Sequence, residues 1–292
     1  MDIRKKDGFG RRRIAKKLKE MGYPQYSGSI QDWLNGRKPT IKEFRINDKL
    51  TEEKAFVLGV IGPGDGYVRE RKCGAEIGLA VTDKDFAIEF KDSLEKIYGF
   101  ECKFKKEKPS GLGKKPRYRV LLYSVNAVKN LKKYGVNFKE FNWSVPVEIK
   151  KAPKRIISRY VSGFFDSQGC VSTRRIEAFS KNNKGLGEIE LLLKQIGLRC
   201  KINGNKITIY SRNSLEEYYR VIGFCIKRKQ DKLYNLIKNY KRYYTTSDEA
   251  DNLIPEINKY LNMGYSRRKT AEILNISPTI IKNRIKLLGG TT

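Results

Sequence analysis

The chain contains no histidine. An imidazole is thereby excluded as general base, nucleophile or metal ligand, and any catalysis rests on carboxylates, lysine, tyrosine or an oxygen-ligated metal. Cysteine is sparse and odd in number: Cys73, Cys102, Cys170, Cys200 and Cys225 are widely separated and form no CxxC pair. That spacing argues against structural zinc and against a disulfide framework. No run approaches the roughly 20 apolar residues of a membrane span, and no signal-peptide pattern opens the chain. A cytosolic protein without membrane association is expected.

Acidic residues are also short: 32 Asp and Glu stand against 62 Lys and Arg, a net charge of +30. Lysine-rich thermophile surfaces usually balance lysine with glutamate, and this one does not. Such an excess repels itself unless a polyanion neutralises it, as a phosphate backbone does with release of condensed counterions. Nucleic acid is the expected partner, and a membrane surface the lesser alternative. With 292 residues, 17 Tyr and 13 Phe, the chain can fold and fill more than one domain.

The sequence repeats itself. FVLGVIGPGDGYV at 56–68 has the outline of YVSGFFDSQGCV at 160–171, and Asp65-Gly66 recurs as Gln168-Gly169. YGFECKF at 98–104 then recurs as IGLRCKI at 196–202, and YSVN at 123–126 as YSRN at 210–213. The order is kept while the offset shrinks, because KKEKPSGLGKKPRY in the first copy corresponds to the brief NGNK in the second. Gly, Pro and Ser crowd the longer version, as in an extended hairpin tip.

Each copy predicts helix, two strands, helix, two strands, helix: apolar runs with small residues, alternating strands, and helical spacing in DFAIEFKDSLEKIYG and LGEIELLLKQIG. The strands are rich in Arg69, Arg71, Lys72, Lys103, Lys105, Lys106, Arg117 and Arg119 in copy one, and in Arg174, Arg175, Lys181, Lys201 and Lys206 in copy two. Because side chains alternate along a strand, a basic face can lie opposite an apolar one. At the C-terminus, MGYSRRKTAEILNISPTIIKNRIKLLGG predicts a helix, a turn at Asn275-Ile276, and a second helix capped by Ser277 with Pro278 first. That pattern resembles a helix-turn-helix whose second helix presents Thr279, Lys282, Asn283 and Lys286 to a major groove. RRRIAKKLKEMG and SGSIQDWLNGRKP near the N-terminus resemble a more divergent one.

LGVIGPGDG at 58–66 and VSGFFDSQG at 161–169 resemble the nine-residue motif of the LAGLIDADG homing endonucleases, and the helix and strand order over about 50–240 fits the family's halves. The resemblance implies an α+β fold of two pseudo-symmetric αββαββα repeats forming DNA-binding saddles, flanked by small helical domains: 1–48, 49–152, 153–245 and 246–292. It implies a monomeric, metal-dependent endonuclease that takes a long asymmetric duplex site and hydrolyses one phosphodiester per strand with Mg²⁺, or with another divalent cation such as Mn²⁺ or Ca²⁺. Small residues such as Gly59, Ser162 and Gly163 let the two motif helices approach, so that an acidic group at each helix end falls at the centre.

The family's acidic positions map onto Asp65 and Gln168, with metal contacts at Gly64 and Ser167 as well, and Lys229 fits the place of a frequent active-site lysine. Lys139 is a possible counterpart in copy one. Two departures stand out. Pro63 should disturb the first helix near its end, and Gln168 lacks the charge of a carboxylate, whereas Asp166 should point elsewhere. Gln168 is open to three explanations: a natural residue in a slow or strand-biased enzyme, the mark of a degenerate nuclease that only binds DNA, or a replacement of Glu that traps an uncut complex. A DNA-binding transcriptional regulator on a degenerate scaffold is therefore the alternative, and RNA binding a third. An intron or free-standing gene of a prokaryote or archaeon is the expected origin. An intein is not, since no splicing-type Cys or Ser opens the chain and no His-Asn ends it.

Overall fold

In a computed structural model that describes residues 8–21, 27–36, 48–71, 74–109, 115–135, 142–240 and 251–287, the sequence repeat becomes a repeat of architecture. The chain divides into two compact units, Met1–Gln230 and Asp231–Thr292. The first opens with α1 (Arg11–Glu20) and α2 (Ser27–Leu34).

Copy one follows as α3 (Glu52–Ile61), β1 (Tyr67–Arg71), β2 (Gly74–Val81), α4 (Lys84–Tyr98), β3 (Lys103–Glu107), β4 (Arg117–Tyr123) and α5 (Val125–Lys132). After the short α6 (Val147–Lys150), copy two gives α7 (Lys154–Gln168), β5 (Gly169–Val171), β6 (Ile176–Phe179), α8 (Asn183–Gln195), β7 (Lys201–Asn203), β8 (Lys206–Ile209) and α9 (Arg212–Val221). Helix α10 (Lys227–Lys238) comes next. The two antiparallel sheets share one topology, β1-β2-β4-β3 and β5-β6-β8-β7. The expected order of helices and strands is present in both copies.

Local chemistry accounts for the elements. Thr51 caps α3 by accepting from the Lys54 amide at 3.2 Å, and Glu52 and Glu53 in the first turn suit the positive end of the helix dipole. Every residue from Lys54 to Ile61 is buried, which marks α3 as a central helix rather than a surface one. Helix α4 is amphipathic, burying Phe86, Phe90, Leu94 and Ile97, and stops at Gly99, whose φ of 69° is the left-handed conformation of a helix end. In copy two, Trp143, Phe164, Phe165, Tyr218 and Phe224 form an aromatic chain with successive centroids 5.2 to 5.9 Å apart.

Helices α3 and α7 pack at backbone distance through two glycines. A Cβ on Gly59 would lie 2.1 Å from the Tyr160 carbonyl oxygen, and one on Gly163 would lie 2.5 Å from that of Phe56. Each glycine faces the other helix's main chain, so any side chain there forces the pair apart.

Three expectations change. Arg174 and Arg175 fall in the turn between β5 and β6, and Lys181 lies beyond β6, because the strands of copy two are only three and four residues long. Lys72, Lys139 and the enlarged hairpin's tip at 110–114 lie outside the described residues, as does the side chain of Lys286.

In the second unit the predicted helix pair appears as α12 (Arg267–Ile273) and α13 (Pro278–Leu287), preceded by α11 (Ile254–Asn262). Ile257, Ala271, Ile276 and Ile281 form its small core. Asn275 makes the turn with φ 52°, and the Ser277 hydroxyl accepts from the Thr279 amide at 3.2 Å. No helix among the described residues is long and apolar enough to cross a membrane.

Candidate active site and nucleic-acid interface

The two motif tips meet side by side, but they are delivered differently. Helix α3 ends at Ile61, and three residues, Gly62, Pro63 and Gly64, carry the chain on before Asp65 is reached. The Gly66 amide donates to the Val60 carbonyl at 3.0 Å and closes this bend. Asp65 therefore sits past its helix end, a correction to the expectation that each helix terminus presents its own polar group. Proline at 63 supplies the cause, since it cannot donate the next helical hydrogen bond. Helix α7 has no such break and runs through Gln168.

Gln168 Nε2 donates to Asp65 Oδ1 at 3.2 Å. Gly64 is equally close to the other tip: a Cβ there would fall 2.3 Å from Ser167 Oγ, and that hydroxyl donates back to the Gly163 carbonyl at 2.9 Å. Asp65 keeps solvent contact, yet enough protein surrounds its carboxylate that desolvation raises its pKa, opposed by the Lys229 charge and the Gln168 hydrogen bond.

Asp166 does point elsewhere. It is buried and accepts from Ser162 Oγ at 3.2 Å and from the amides of Cys225 at 3.2 Å and Ile226 at 3.4 Å. These amides precede the first turn of α10, where a carboxylate also suits the helix dipole. Desolvation pushes Asp166 up to about 6, against the pull of those hydrogen bonds. Lys229 answers from α10: buried, it donates to the Asp166 carbonyl at 2.6 Å and the Phe165 carbonyl at 3.3 Å. Burial lowers its pKa, and its charge stays close enough to act on Asp65. Lys229 thus clamps the end of α7 beside the tips. Asp83 adds a bidentate pair to Arg228, at 2.6 and 2.8 Å, so α10 is tied to both repeats.

One carboxylate at the centre limits what the site can hold. Among the described residues no three His, Cys, Asp or Glu side chains gather as a metal cluster. The side chains in contact at the tips are the Asp65 carboxylate and the Gln168 amide, and the oxygens the tips can offer are theirs together with the backbone carbonyls of the adjacent Gly64 and Ser167. That set suits one hard cation that keeps part of its hydration, and lacks the second anion that a paired site would use.

The sheets carry the other predicted residues. In the first sheet the core takes Ile77, Leu79, Val120 and Leu122. The strand register puts Arg69, Arg71, Lys103, Lys105, Arg117 and Arg119 on the opposite face, with Arg69 across from Glu76 and Lys105 across from Arg119. In the second sheet Ile176, Ala178, Ile207 and Ile209 face the core, and Lys201 and Lys206 face out, while Arg175 joins them from the turn through an ion pair with Glu177. Lys282, Asn283 and Thr279 are exposed on α13.

Two residues escaped the sequence reading. Glu76 on β2 and Glu177 on β6 are buried at the centres of the two basic faces, each pairing with two cations. Their one sequence signal is a lone acid on the second strand of each copy, in AEIG and IEAF.

A family model described as LAGLIDADG-like domain matches residues 156–223. The chain is 36% identical over 103 residues to a probable translation initiation factor IF-2 of Thermococcus kodakarensis, covering 34% of this chain and only 9% of that protein. It is 29% identical over 249 residues to the ribonucleoside-diphosphate reductase NrdEB subunit alpha of Bacillus subtilis, covering 75% of this chain and 21% of that one. Among solved structures, that of I-DmoI in complex with DNA and Mn is similar with a TM-score of 0.45 and 15% identity, over 60% of this chain and 97% of that chain.

Proposed function

We propose that this chain, which carries a LAGLIDADG-like domain over residues 156–223, is a site-specific endonuclease of duplex DNA that nicks one strand in preference to cutting both. The observation that carries this reading is the pairing of Asp65 with Gln168 at 3.2 Å: one carboxylate stands where the repeat would supply two. Asp65 would hold a divalent cation such as Mg²⁺, with the Gln168 amide oxygen and the Gly64 and Ser167 carbonyls as neutral donors. When bound, such an ion supplies a water of lowered pKa and charge for the leaving oxygen.

The chain's own groups do the rest. The outer faces of the two sheets hold the phosphate backbone by Arg and Lys, which fixes position, and read base edges, which fixes sequence. Lys229 keeps the end of α7 closed and offsets developing negative charge from behind Asp166. Both halves lie in one chain, so a monomer takes a long asymmetric site. Segments 1–48 and 246–292 extend contact beyond the repeats 49–152 and 153–245, with Thr279, Lys282 and Asn283 of α13 in a major groove. The partial matches to two proteins whose names share no activity support a self-contained module rather than a part in translation or nucleotide reduction.

The test is product form. A duplex site selected from a random library by the purified chain, placed in supercoiled plasmid and incubated with Mg²⁺, should yield nicked circles well ahead of linear DNA, and chelation should stop the reaction. A selected site that is bound but never cut with Mg²⁺ or Mn²⁺ would establish instead a regulator that only binds, a reading favoured by the Gln168 amide nitrogen lying on an Asp65 oxygen.

A further inference from the structure

Each basic face has an acid at its middle, and that is a costly place for one if the face exists only to attract phosphate. Glu76 lies between β1 and β4, opposite Arg69 on one side and Tyr123 on the other. Its two oxygens are divided: Oε1 takes Arg69 Nη1 at 3.2 Å and Oε2 takes Arg71 Nη2 at 3.4 Å. The glutamate side chain is 6% exposed, while those arginines are 57% and 62% exposed. Each guanidinium therefore spends one edge on Glu76 and turns other donors to solvent. Tyr67 braces the same array. Its ring lies against Gly78, where a Cβ would come within 2.4 Å of it, and Arg69 stands over that ring at 5.4 Å.

Glu177 repeats the arrangement in the second face. Its Oε1 accepts from Arg175 Nε at 2.6 Å and Lys206 Nζ at 2.9 Å, and Lys206 also lies over the exposed Phe179 ring at 5.7 Å. The pairing of one buried acid with two cations is shared, but Glu177 takes both on Oε1 where Glu76 divides them between its oxygens, and the cations differ: two arginines in one half, an arginine and a lysine in the other. Arginine offers a rigid fork that matches guanine O6 and N7, whereas lysine offers a point charge.

We propose that Glu76 and Glu177 are positioning residues that set base preference, each holding two cationic side chains over one half of the DNA site so that they reach base edges instead of collapsing onto phosphates. The inference rests on the duplex-binding reading above. It makes the first half-site the more guanine-selective, because Arg69 and Arg71 are both forks. It also separates affinity from selectivity. Removing the acid leaves the face more positive and its arginines unrestrained, so non-specific binding strengthens as discrimination falls.

Selection from a random duplex library with the full chain, followed by binding at several salt concentrations, tests this. Glu76→Gln should lose about tenfold in discrimination at two or three base pairs of one half-site, bind random duplex more tightly, and show a steeper salt dependence, leaving the other half-site unchanged. Glu177→Gln should do the same on the other side with a smaller loss. Should Glu76→Gln fail to fold, Arg71→Lys, at an exposed position, keeps the charge, removes the fork and should relax the same base pairs. A glutamate that only stabilises the sheet would lower the melting temperature and leave base preference intact; that outcome, or wild-type preference in Arg71→Lys, overturns the assignment. Enrichment of no site by the wild-type chain would refute the duplex-binding reading itself, and the assignment with it.

Discussion

In the first repeat the motif helix stops at Ile61 and a Gly62-Pro63-Gly64 bend carries Asp65 to the centre, whereas in the second the helix runs unbroken to Gln168. The half with the charge has the irregular backbone, and the half with the regular helix has the neutral side chain. The second tip is also the more firmly held, since Asp166 and Lys229 tie it to α10 and the residues just before it by four hydrogen bonds at 2.6 to 3.4 Å. The two motif helices also bury opposite charges, Lys54 near the start of α3 and Asp166 near the end of α7. A duplicated fold has thus given its two halves different tips, one charged and one neutral, without altering its topology.

The sharpest way to break this division is at the tips. Asp65→Asn should lower cleavage at a selected site on the order of a thousandfold, since it removes the lone anion of the donor set and with it several kcal/mol of charge stabilisation. Gln168→Ala should cost only a few-fold. Equal losses in the two variants, measured as single-turnover nicking rates, would show that the halves share the work.

A second test concerns the buried cation. Desolvation lowers the Lys54 pKa to about 8 from its usual 10.5, opposed by Asp48. Between those values the unfolded chain holds more protons than the folded one, so this group makes stability rise with pH across the window, by about 3 kcal/mol. Lys54→Met should remove that rise, and urea midpoints measured from pH 7.5 to 10.5 in both proteins would reveal it. A slope retained in the variant would assign the effect elsewhere.

The helix pair should behave symmetrically even though the tips do not. Gly59→Ala and Gly163→Ala each drive a methyl into the opposite backbone, at 2.1 and 2.5 Å, and each should cost roughly 1–3 kcal/mol. Melting temperatures should fall by similar amounts in the two variants. A tolerant Gly59 beside an intolerant Gly163 would mean that the first helix, with its bent end, yields while the second does not.

Much of this was readable in the chain. The repeat, the order of elements, the small residues at 59 and 163, the helix-breaking Pro63 and the Ser277 cap all rest on local patterns, which short stretches of sequence carry directly. The roles of Lys229, Asp166 and the two sheet glutamates were not readable, because each depends on partners distant in sequence: Asp166 meets Cys225, and Glu177 meets Lys206. A lone Glu in an otherwise apolar strand looks like a solvated residue until the fold shows two cations from neighbouring segments converging on it. Lys229 stood out as a candidate for chemistry, and its ammonium is found donating to helix-end carbonyls, a use that no motif spacing announces.

The last comparison removes the difference between the tips. Gln168→Glu would put two carboxylates where one now lies 3.2 Å from an amide, supplying the second anion that a paired site uses. Linear product should then rise about tenfold relative to nicked circles, an estimate at the modest end of what one added charged ligand contributes. The change should also leave a mark on the pH profile. Desolvation already raises the Asp65 pKa, and a like charge beside it raises it further, since two neighbouring carboxylates resist ionising together. Activity that needs ionised Asp65 falls as pH drops through its pKa, so the acid limb of the variant should lie at higher pH than that of the chain with Gln168. A gain in linear product without that displacement would place the new carboxylate away from Asp65, and the two tips would then not act as one site.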